Sequence, residues 1–540
     1  MGKKNPYITF IQKQNRTPQS KALPGQVANS AGGHSFELDK WGRLNRFLIL
    51  GSEGGSYYAT EQALTKENAT TLVECINADG VRTVRTIVDV SDSGRAPKNT
   101  SAIFALALAT TAPDIEARRL AVEAIPKVCR TGTHLFQFAT MVNEIRGWGR
   151  ALRRGMAEWY TEQDVSRIAY QMVKYRQRDG WTHRDVLRLA HPKPNTEAQD
   201  ALFQWATKDE KPAWATADAM PEDEALRKVW AFEQAQRAGD VKTIVQLIVD
   251  HNLVREAIPP QFLNTVEVWD ALLQKMPMTA MIRNLGNMSK NGLLVPMSDA
   301  EKLVVERLTD MERLERARVH PIAVLAAMRT YGAGRGFRGS GTWKPVPKVM
   351  QALNKTFELA FGVIEPANKR TMLALDVSGS MGWGNIAGLP NINPREGAAA
   401  MAMVTARTEP QYTFTAFSHE MIPLDIHAGM SIEQVVKATS GLAFGGTDCA
   451  LPMIYANEHR LNVDTFIVYT DSETWFGQIH PVQALREYRQ KTGIPAKLIV
   501  VGMVANRYSI ADPNDAGMLD VVGFDTAAPN LMNGFARGEI

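Results

Sequence analysis

Five oxygen-bearing side chains in three short motifs have the chemistry to hold one hard cation. Asp376, Ser378 and Ser380 stand in Asp376-Val377-Ser378-Gly379-Ser380, Thr447 in Gly445-Gly446-Thr447-Asp448, and Asp471 in Tyr469-Thr470-Asp471-Ser472. Carboxylate and hydroxyl oxygens suit Mg²⁺, with Mn²⁺ as the alternative, and do not suit zinc, which takes nitrogen and sulfur. Asp-x-Ser-x-Ser alone is common in polar loops. Its weight here comes from the second and third motifs, which place a hydroxyl and another carboxylate on further segments. Mg²⁺ keeps several waters, so one coordination position stays open to a carboxylate from a partner.

A second chemistry is local positive charge. Residues 145–193 carry eleven Lys and Arg against five acids, a net of +6 in a chain whose total is +4. Arg146, Arg150, Arg153, Arg154, Arg167, Lys174, Arg176, Arg178, Arg184, Arg188 and Lys193 supply it. A concentrated excess inside a balanced chain is the footprint of a nucleic-acid site. Spacing predicts that Arg150 and Arg154, and likewise Lys174 and Arg178, share helix faces, with Gly180 ending the second helix. Thr182-His183-Arg184-Asp185 reads as a capping box opening the next helix, on which Arg184, Arg188 and His191 form one stripe. The bland alternative is a solvated face of ion pairs. Trp148, Trp159, Tyr160, Tyr175 and Trp181 are interleaved, and most read as core.

Two kinds of element must position these groups. From about residue 40 to 360 the pattern is helical, with 101–109, 115–128 and 243–254 as examples. Pro113, Gly180, Pro259-Pro260 and Pro277 mark boundaries. A long helical stretch without a heptad register predicts stacked helix pairs, with room for about seven at roughly 40–47 residues each. After about residue 365, short buried strands at 371–375, 411–417, 465–470 and 496–501 alternate with helices at 396–405, 432–439 and 482–491. That alternation predicts a parallel α/β sheet, doubly wound, with ligands beyond the carboxyl ends of its strands. Asp376 and Asp471 each follow a strand directly. Gly334, Gly336 and Gly339 match GxGxxG, but they follow a helix, so a dinucleotide site fails and a linker is expected.

At 540 residues the chain should hold two or more domains. Three scattered cysteines form no CxxC pair, no run of about 20 apolar residues exists, and the first residues lack a secretory apolar core or a myristoylation pattern. A cytoplasmic protein without membrane contact is expected. No HExxH, GxSxG or P-loop points to an enzyme.

At its five oxygen positions the C-terminal part resembles a von Willebrand factor A domain with its metal-ion-dependent adhesion site. The chain as a whole resembles the Ro autoantigen family, whose helical part is the TROVE module, and looks like a bacterial member. The matching segments include Leu44-Asn45-Arg46-Phe47-Leu48, Gly51-Ser52-Glu53-Gly54-Gly55-Ser56-Tyr57-Tyr58, Gly147-Trp148-Gly149-Arg150-Ala151-Leu152-Arg153 and Lys174-Tyr175-Arg176-Gln177-Arg178-Asp179-Gly180-Trp181. The resemblance implies a tail over residues 1–20, a ring of HEAT-like helix pairs over 21–365, and the A domain over 366–540 joining the ring's ends. It implies a monomeric, noncatalytic scaffold with Y RNA on the outer surface and 3′ ends of misfolded or immature RNA in the central hole. It further implies work beside an exoribonuclease such as polynucleotide phosphorylase. Lys174, Arg178 and His191 fall on the family's Y RNA contacts. The alternative from a different class is a metal-dependent protein-adhesion module that uses the helices only as a scaffold.

Overall fold

The structure, a computed structural model, describes residues 16–540 apart from 337–340, 363, 387, 388, 390, 391, 443, 444 and 526. Gly339 of the GxGxxG match lies outside the described residues.

From Lys40–Leu50 to Pro347–Leu359 the chain is mostly helical, and neighbouring helices stack in pairs. Glu61–Ala78 packs on Gly80–Asp92, Thr100–Ala109 on Gly132–Ile145, Val165–Lys174 on Glu224–Arg237, and Val241–His251 on Val266–Lys275. Asp79, Asp114, Asp164, Asp223 and Asp240 cap helix N-termini through their side chains, satisfying backbone donors that the first turn leaves open. Thr100–Ala109 is so rich in alanine that its neighbours approach closely, and Ala102, Ala105, Ala107 and Ala109 are all buried.

Two predicted helices are adjusted. The segment 115–128 divides into Ile115–Glu123 and Ile125–Val128, because Pro126 lacks the N–H that one continuous helix needs. The segment 243–254 becomes Val241–His251, stopped by Asn252 in the left-handed region at φ 51°.

Two segments far apart along the helical run meet, the one after Gly80–Asp92 and the one before Pro321–Gly332. The Arg318 guanidinium donates to the Asp92 carbonyl at 2.7 Å, and the His320 ring lies 3.1 Å from the Arg95 carbonyl. Arg95 in turn donates to the Val522 carbonyl at 3.1 Å and faces Asp525 at 3.4 Å. The junction therefore sits against the C-terminal domain.

That domain is a six-stranded sheet of β5 (Thr371–Asp376), β6 (Tyr412–Phe417), β7 (Met421–Pro423), β8 (Thr465–Thr470), β9 (Lys497–Gly502) and β11 (Met518–Val521). Its order is β11-β9-β8-β5-β6-β7, parallel except for β7. Every residue of β5 and β8 is buried, as expected when helices cover both faces. Period two divides them. Leu373, Leu375, Ile467 and Tyr469 join a core continuous with the helical half, whereas Met372, Ala374, Phe466 and Val468 face a separate core.

The expected boundary near residue 20 moves. β1 (Gln26–Ala28) and β2 (His34–Glu37) pair with each other and, through β2, with β10 (Tyr508–Ser509). Gln19 is buried and donates to Asp448 Oδ1 at 2.7 Å and to the Ile479 carbonyl at 2.8 Å. Residues 16–37 are thus built into the C-terminal half. Their anchors are polar side chains meeting distant loops, which leave no hydrophobic period to read.

The two halves are pinned at Arg46. Its buried guanidinium reaches Asp520 at 2.9 and 2.6 Å, Asn506 Oδ1 at 3.0 Å and the Tyr508 carbonyl at 2.8 Å. A Cβ on Gly502 would stand 2.6 Å from that guanidinium, so the close approach requires glycine.

Candidate metal centre and nucleic-acid interface

β5 and β8 are adjacent and parallel, so Asp376 and Asp471 emerge at the same sheet edge. Asp376 Oδ1 accepts from the Ser378 N–H at 2.9 Å and Oδ2 from the Thr470 hydroxyl at 2.6 Å. A 3₁₀ turn at Gly379–Gly382 brings the Ser378 and Ser380 hydroxyls to 3.1 Å of each other. Asp471 Oδ1 accepts from the Glu473 N–H at 3.1 Å. The Thr447 carbonyl accepts from the N–H groups of Trp475 and Phe476 at 2.9 and 3.0 Å, which sets Thr447 beside the loop that follows Asp471.

All five side chains are buried. Burial, then the charge of Asp471, pushes the Asp376 carboxyl up to about 7, and burial pushes Asp471 up as well. Glu473 rises to about 8 by burial and then the charge of Asp471. Anionic groups held this unfavourably are where a cation is accommodated. Among the described residues no three His, Cys, Asp or Glu converge as a metal cage, so hydroxyl oxygens must complete any ligand set. Two carboxylates with three hydroxyls fit Mg²⁺ or Mn²⁺.

Sequence reasoning gave no chemical role to three neighbours of this site. The Tyr58 hydroxyl, from the helical half, lies beside Ser380, and burial and then the charge of Asp471 hold its proton firmly. Asn506 donates to the Asp471 carbonyl at 2.8 Å. Glu473 accepts from the Ser30 N–H at 2.7 Å. Glu473 stands two residues after Asp471 and could have been noticed; the other two are brought in only by tertiary packing.

The basic interval is more dispersed. Arg150, Arg153 and Arg154 are exposed on the helix Arg150–Thr161, as the spacing predicts, although Arg154 also lies 3.4 Å from Glu158. Lys174 and Arg178 do not share a helix, contrary to expectation. The helix stops at Lys174, and β3 (Gln177–Arg178) pairs with β4 (Trp181–Thr182) as a hairpin. Asp179 and Gly180 turn it with φ of 51° and 81°, the left-handed pair that Asp-Gly favours. That dipeptide was the available signal.

The capping box of Thr182 and Asp185 is present. The stripe after it is not a free face. Arg184 pairs with Asp209, Arg188 donates to the Thr207 carbonyl at 2.9 Å, and His191 is the left-handed cap at φ 49°, beyond the regular turns. His191 itself is exposed.

Lys174 is half-buried and donates to the Tyr170 hydroxyl at 2.8 Å. Burial is the largest single influence and pulls its ammonium down, but the Tyr170 bond together with the charges of Tyr170, Tyr175 and Glu256 holds it above its ordinary value. Lys228 lies 6.0 Å from the same Tyr170 ring. Burial and then nearby charges, Lys275 among them, act on Lys228, whose value is lowered. Lys228 and Lys275 extend the positive surface near Lys174 past the interval read from sequence. Of the aromatic residues, Trp159 and Tyr160 are core, with the Tyr160 hydroxyl 2.8 Å from buried His183. Trp148 and Trp181 stack on each other at 5.5 Å.

With this geometry in place, comparison with known proteins is direct. The chain matches the TROVE domain over residues 27–330 and the Ro60 vWA domain over residues 370–536. It is 43% identical over 535 residues to RNA-binding protein RO60 of Deinococcus radiodurans, covering 99% of each chain. It is 37% identical over 609 residues to RNA-binding protein RO60 of Caenorhabditis elegans, covering 99% of this chain and 94% of that protein. The fold superposes on the crystal structure of Deinococcus radiodurans RO (RSR) protein with a TM-score of 0.70 at 43% identity, over 93% of this chain and 100% of that one.

Proposed function

The chain belongs to the Ro60 family, a TROVE domain followed by the Ro60 vWA domain, and from that premise we propose that it is a noncatalytic RNA-binding scaffold. The observation that carries this is the exposed set Arg150, Arg153, Arg154, Arg178 and His191, with half-buried Lys174, on one stretch of net charge +6. Two relatives bearing the name RNA-binding protein RO60 support it.

In the finer reading, the helical run is a ring that acts as a monomer in the cytoplasm. Y RNA lies on its outer surface across Lys174, Arg178 and His191, with Arg150, Arg153 and Arg154 flanking. Single-stranded 3′ ends of misfolded or immature RNA enter the hole, for maturation or for decay by an exoribonuclease such as polynucleotide phosphorylase. No described helix is long and apolar enough to cross a membrane. Arg184 and Arg188 contribute less, because each is held by a group of a later segment, Asp209 and the Thr207 carbonyl, whereas Arg154 and Arg178 have only the carboxylates of their near neighbours Glu158 and Asp179 beside them. Asp376, Ser378, Ser380, Thr447 and Asp471 would hold Mg²⁺, or Mn²⁺ in its place. The cation would supply a localised positive charge at the sheet edge.

Phosphate contacts release counterions, so binding should fall steeply with salt. Replacing both Lys174 and Arg178 with Ala is expected to weaken Y RNA binding by about tenfold or more in a gel-shift titration. The salt slope should become shallower by roughly 1.5. Unchanged affinity and slope would remove this site assignment.

A further inference from the structure

The glycine-rich stretch that follows Tyr331 belongs neither to the basic surface nor to the five-oxygen set. Residues 332–336, at the end of the helix Pro321–Gly332, line a cavity of about 950 Å³ that both halves of the chain enclose. The C-terminal domain contributes the N-terminal ends of the helices Pro394–Thr408 and Ile432–Ser440. Packed interiors leave few voids larger than a water, whereas small-molecule sites span roughly 300–1,000 Å³. This cavity has the volume of a ligand site.

Its glycine-rich wall is built, although a linker was expected there. Gly334 is in the left-handed region at φ 66°, and a Cβ on it would stand 2.8 Å from the Trp343 carbonyl oxygen. The Trp343 N–H donates to the Gly334 carbonyl at 2.8 Å, and its indole N–H donates to the Tyr331 carbonyl at 2.9 Å. Arg335 pairs with Thr342 through an antiparallel bridge. The Arg335 backbone is thus held in place, while its guanidinium has no ion pair or hydrogen bond among the described residues.

The remaining charges of the lining divide in two. Arg329 and Glu396 neutralise each other at 2.6 Å. Glu433 has no such partner. Neither of its carboxylate oxygens is hydrogen-bonded among the described residues, and Oε1 is buried, which is costly for an acceptor. The cavity therefore offers one unengaged guanidinium, one unengaged carboxylate and the apolar side chain of Met350. Those are the groups a nucleotide uses: guanidinium for phosphate, carboxylate for ribose hydroxyls, apolar surface for the base. A single guanidinium matches a single phosphate group, whereas a polynucleotide backbone calls for several cations.

We propose that this cavity binds a free ribonucleoside 5′-monophosphate, with Arg335 on the phosphate, Glu433 on the 2′- and 3′-hydroxyls and Met350 against the base. The site draws on neither the RNA surface nor the cation set. Because both halves line it, an occupant ties them together.

The test is calorimetry on the full chain with AMP, GMP, CMP and UMP in turn. At least one is expected to bind. Its nucleoside and its 2′,3′-dideoxy form should each bind about tenfold or more weaker, as should the parent nucleotide to Arg335→Ala and to Glu433→Ala. Ala333→Trp, which fills the cavity, should abolish binding. Circular dichroism checks that each variant folds, and all three should keep the parental affinity for Y RNA in a gel shift. The Lys174→Ala/Arg178→Ala variant should bind the nucleotide as the parent does, so failure of the RNA site assignment would leave this result untouched. Four results would overturn the proposal: no heat from any of the monophosphates, a dideoxy form that binds as well as its parent, affinity unchanged in both Arg335→Ala and Glu433→Ala, or displacement of the nucleotide by tetrauridine at lower concentration than by UMP. The last would give the cavity to the end of an RNA chain.

Discussion

The proposed cation site and the basic surface are built on opposite principles. At the sheet edge Asp376, Ser378, Ser380 and Asp471 are buried and hydrogen-bonded, so each oxygen has a fixed position. On the helical half Arg150, Arg153 and Arg178 are long and exposed. The first site depends on geometry, and one lost oxygen would remove a coordination position from the proposed cation. The second depends on summed charge, and one lost cation erodes it. A protein carrying both can take one partner by shape and another by electrostatics, with little interference between them.

The strongest way to break this comparison is to cut the joint between the halves. Arg46→Ala leaves Asp520 without its guanidinium, and removing one member of a buried pair costs about 3–5 kcal/mol. Urea unfolding should lose that much stability, with the two halves unfolding in separate steps. A single unshifted transition would show that the joint is not structural.

Acid should distinguish the halves next. Burial holds His183 down to about 4, whereas an unfolded histidine titrates near 6.5. Between those values the unfolded chain binds the extra proton, so stability is lost as pH falls from about 6.5 toward 4. For His183 that amounts to about 3 kcal/mol. His183→Gln should flatten the dependence of Tm on pH in this window. An unchanged slope would place the acid sensitivity elsewhere.

Third, Asp376→Ala should weaken Mn²⁺ uptake by about a hundredfold in calorimetry, since it removes one of two charged ligands. RNA affinity should stay within about twofold. A parallel loss of RNA binding would erase the separation between the sites.

The smallest effect sharpens the basic surface itself. Arg153→Ala should reduce RNA affinity by about 1 kcal/mol. Arg188→Ala should cost less, because its guanidinium is already engaged by the Thr207 carbonyl. Equal losses in a gel-shift series would mean that Arg188 releases that carbonyl on binding.

What could be read beforehand follows the same division. The strands at 371–375 and 465–470, and the carboxylates that end them, were legible because a continuous apolar run followed by Asp is a local pattern. The hairpin at Gln177–Arg178 was misread as helix because charge spacing was weighed and the Asp179-Gly180 turn was not. Arg184 and Arg188 were read as a free stripe because Asp209 and Thr207 come from a later segment. Residues 16–37 gave no warning at all. Gln19, Asn29 and Ser35 acquire meaning only against Asp448, Thr474 and Ser472, far along the chain.

That last arrangement has a consequence for biosynthesis. β2 leaves the ribosome well before its partner β10, because the whole helical run is made between them. Until residues 508–509 emerge, β2 has an unpaired edge, and Gln19 waits for Asp448. Contacts this distant in sequence slow folding and leave strand edges open to wrong pairing. Nascent chains released early should therefore be the aggregation-prone species, and a chaperone that shields residues 16–37 during synthesis should raise the yield of native protein.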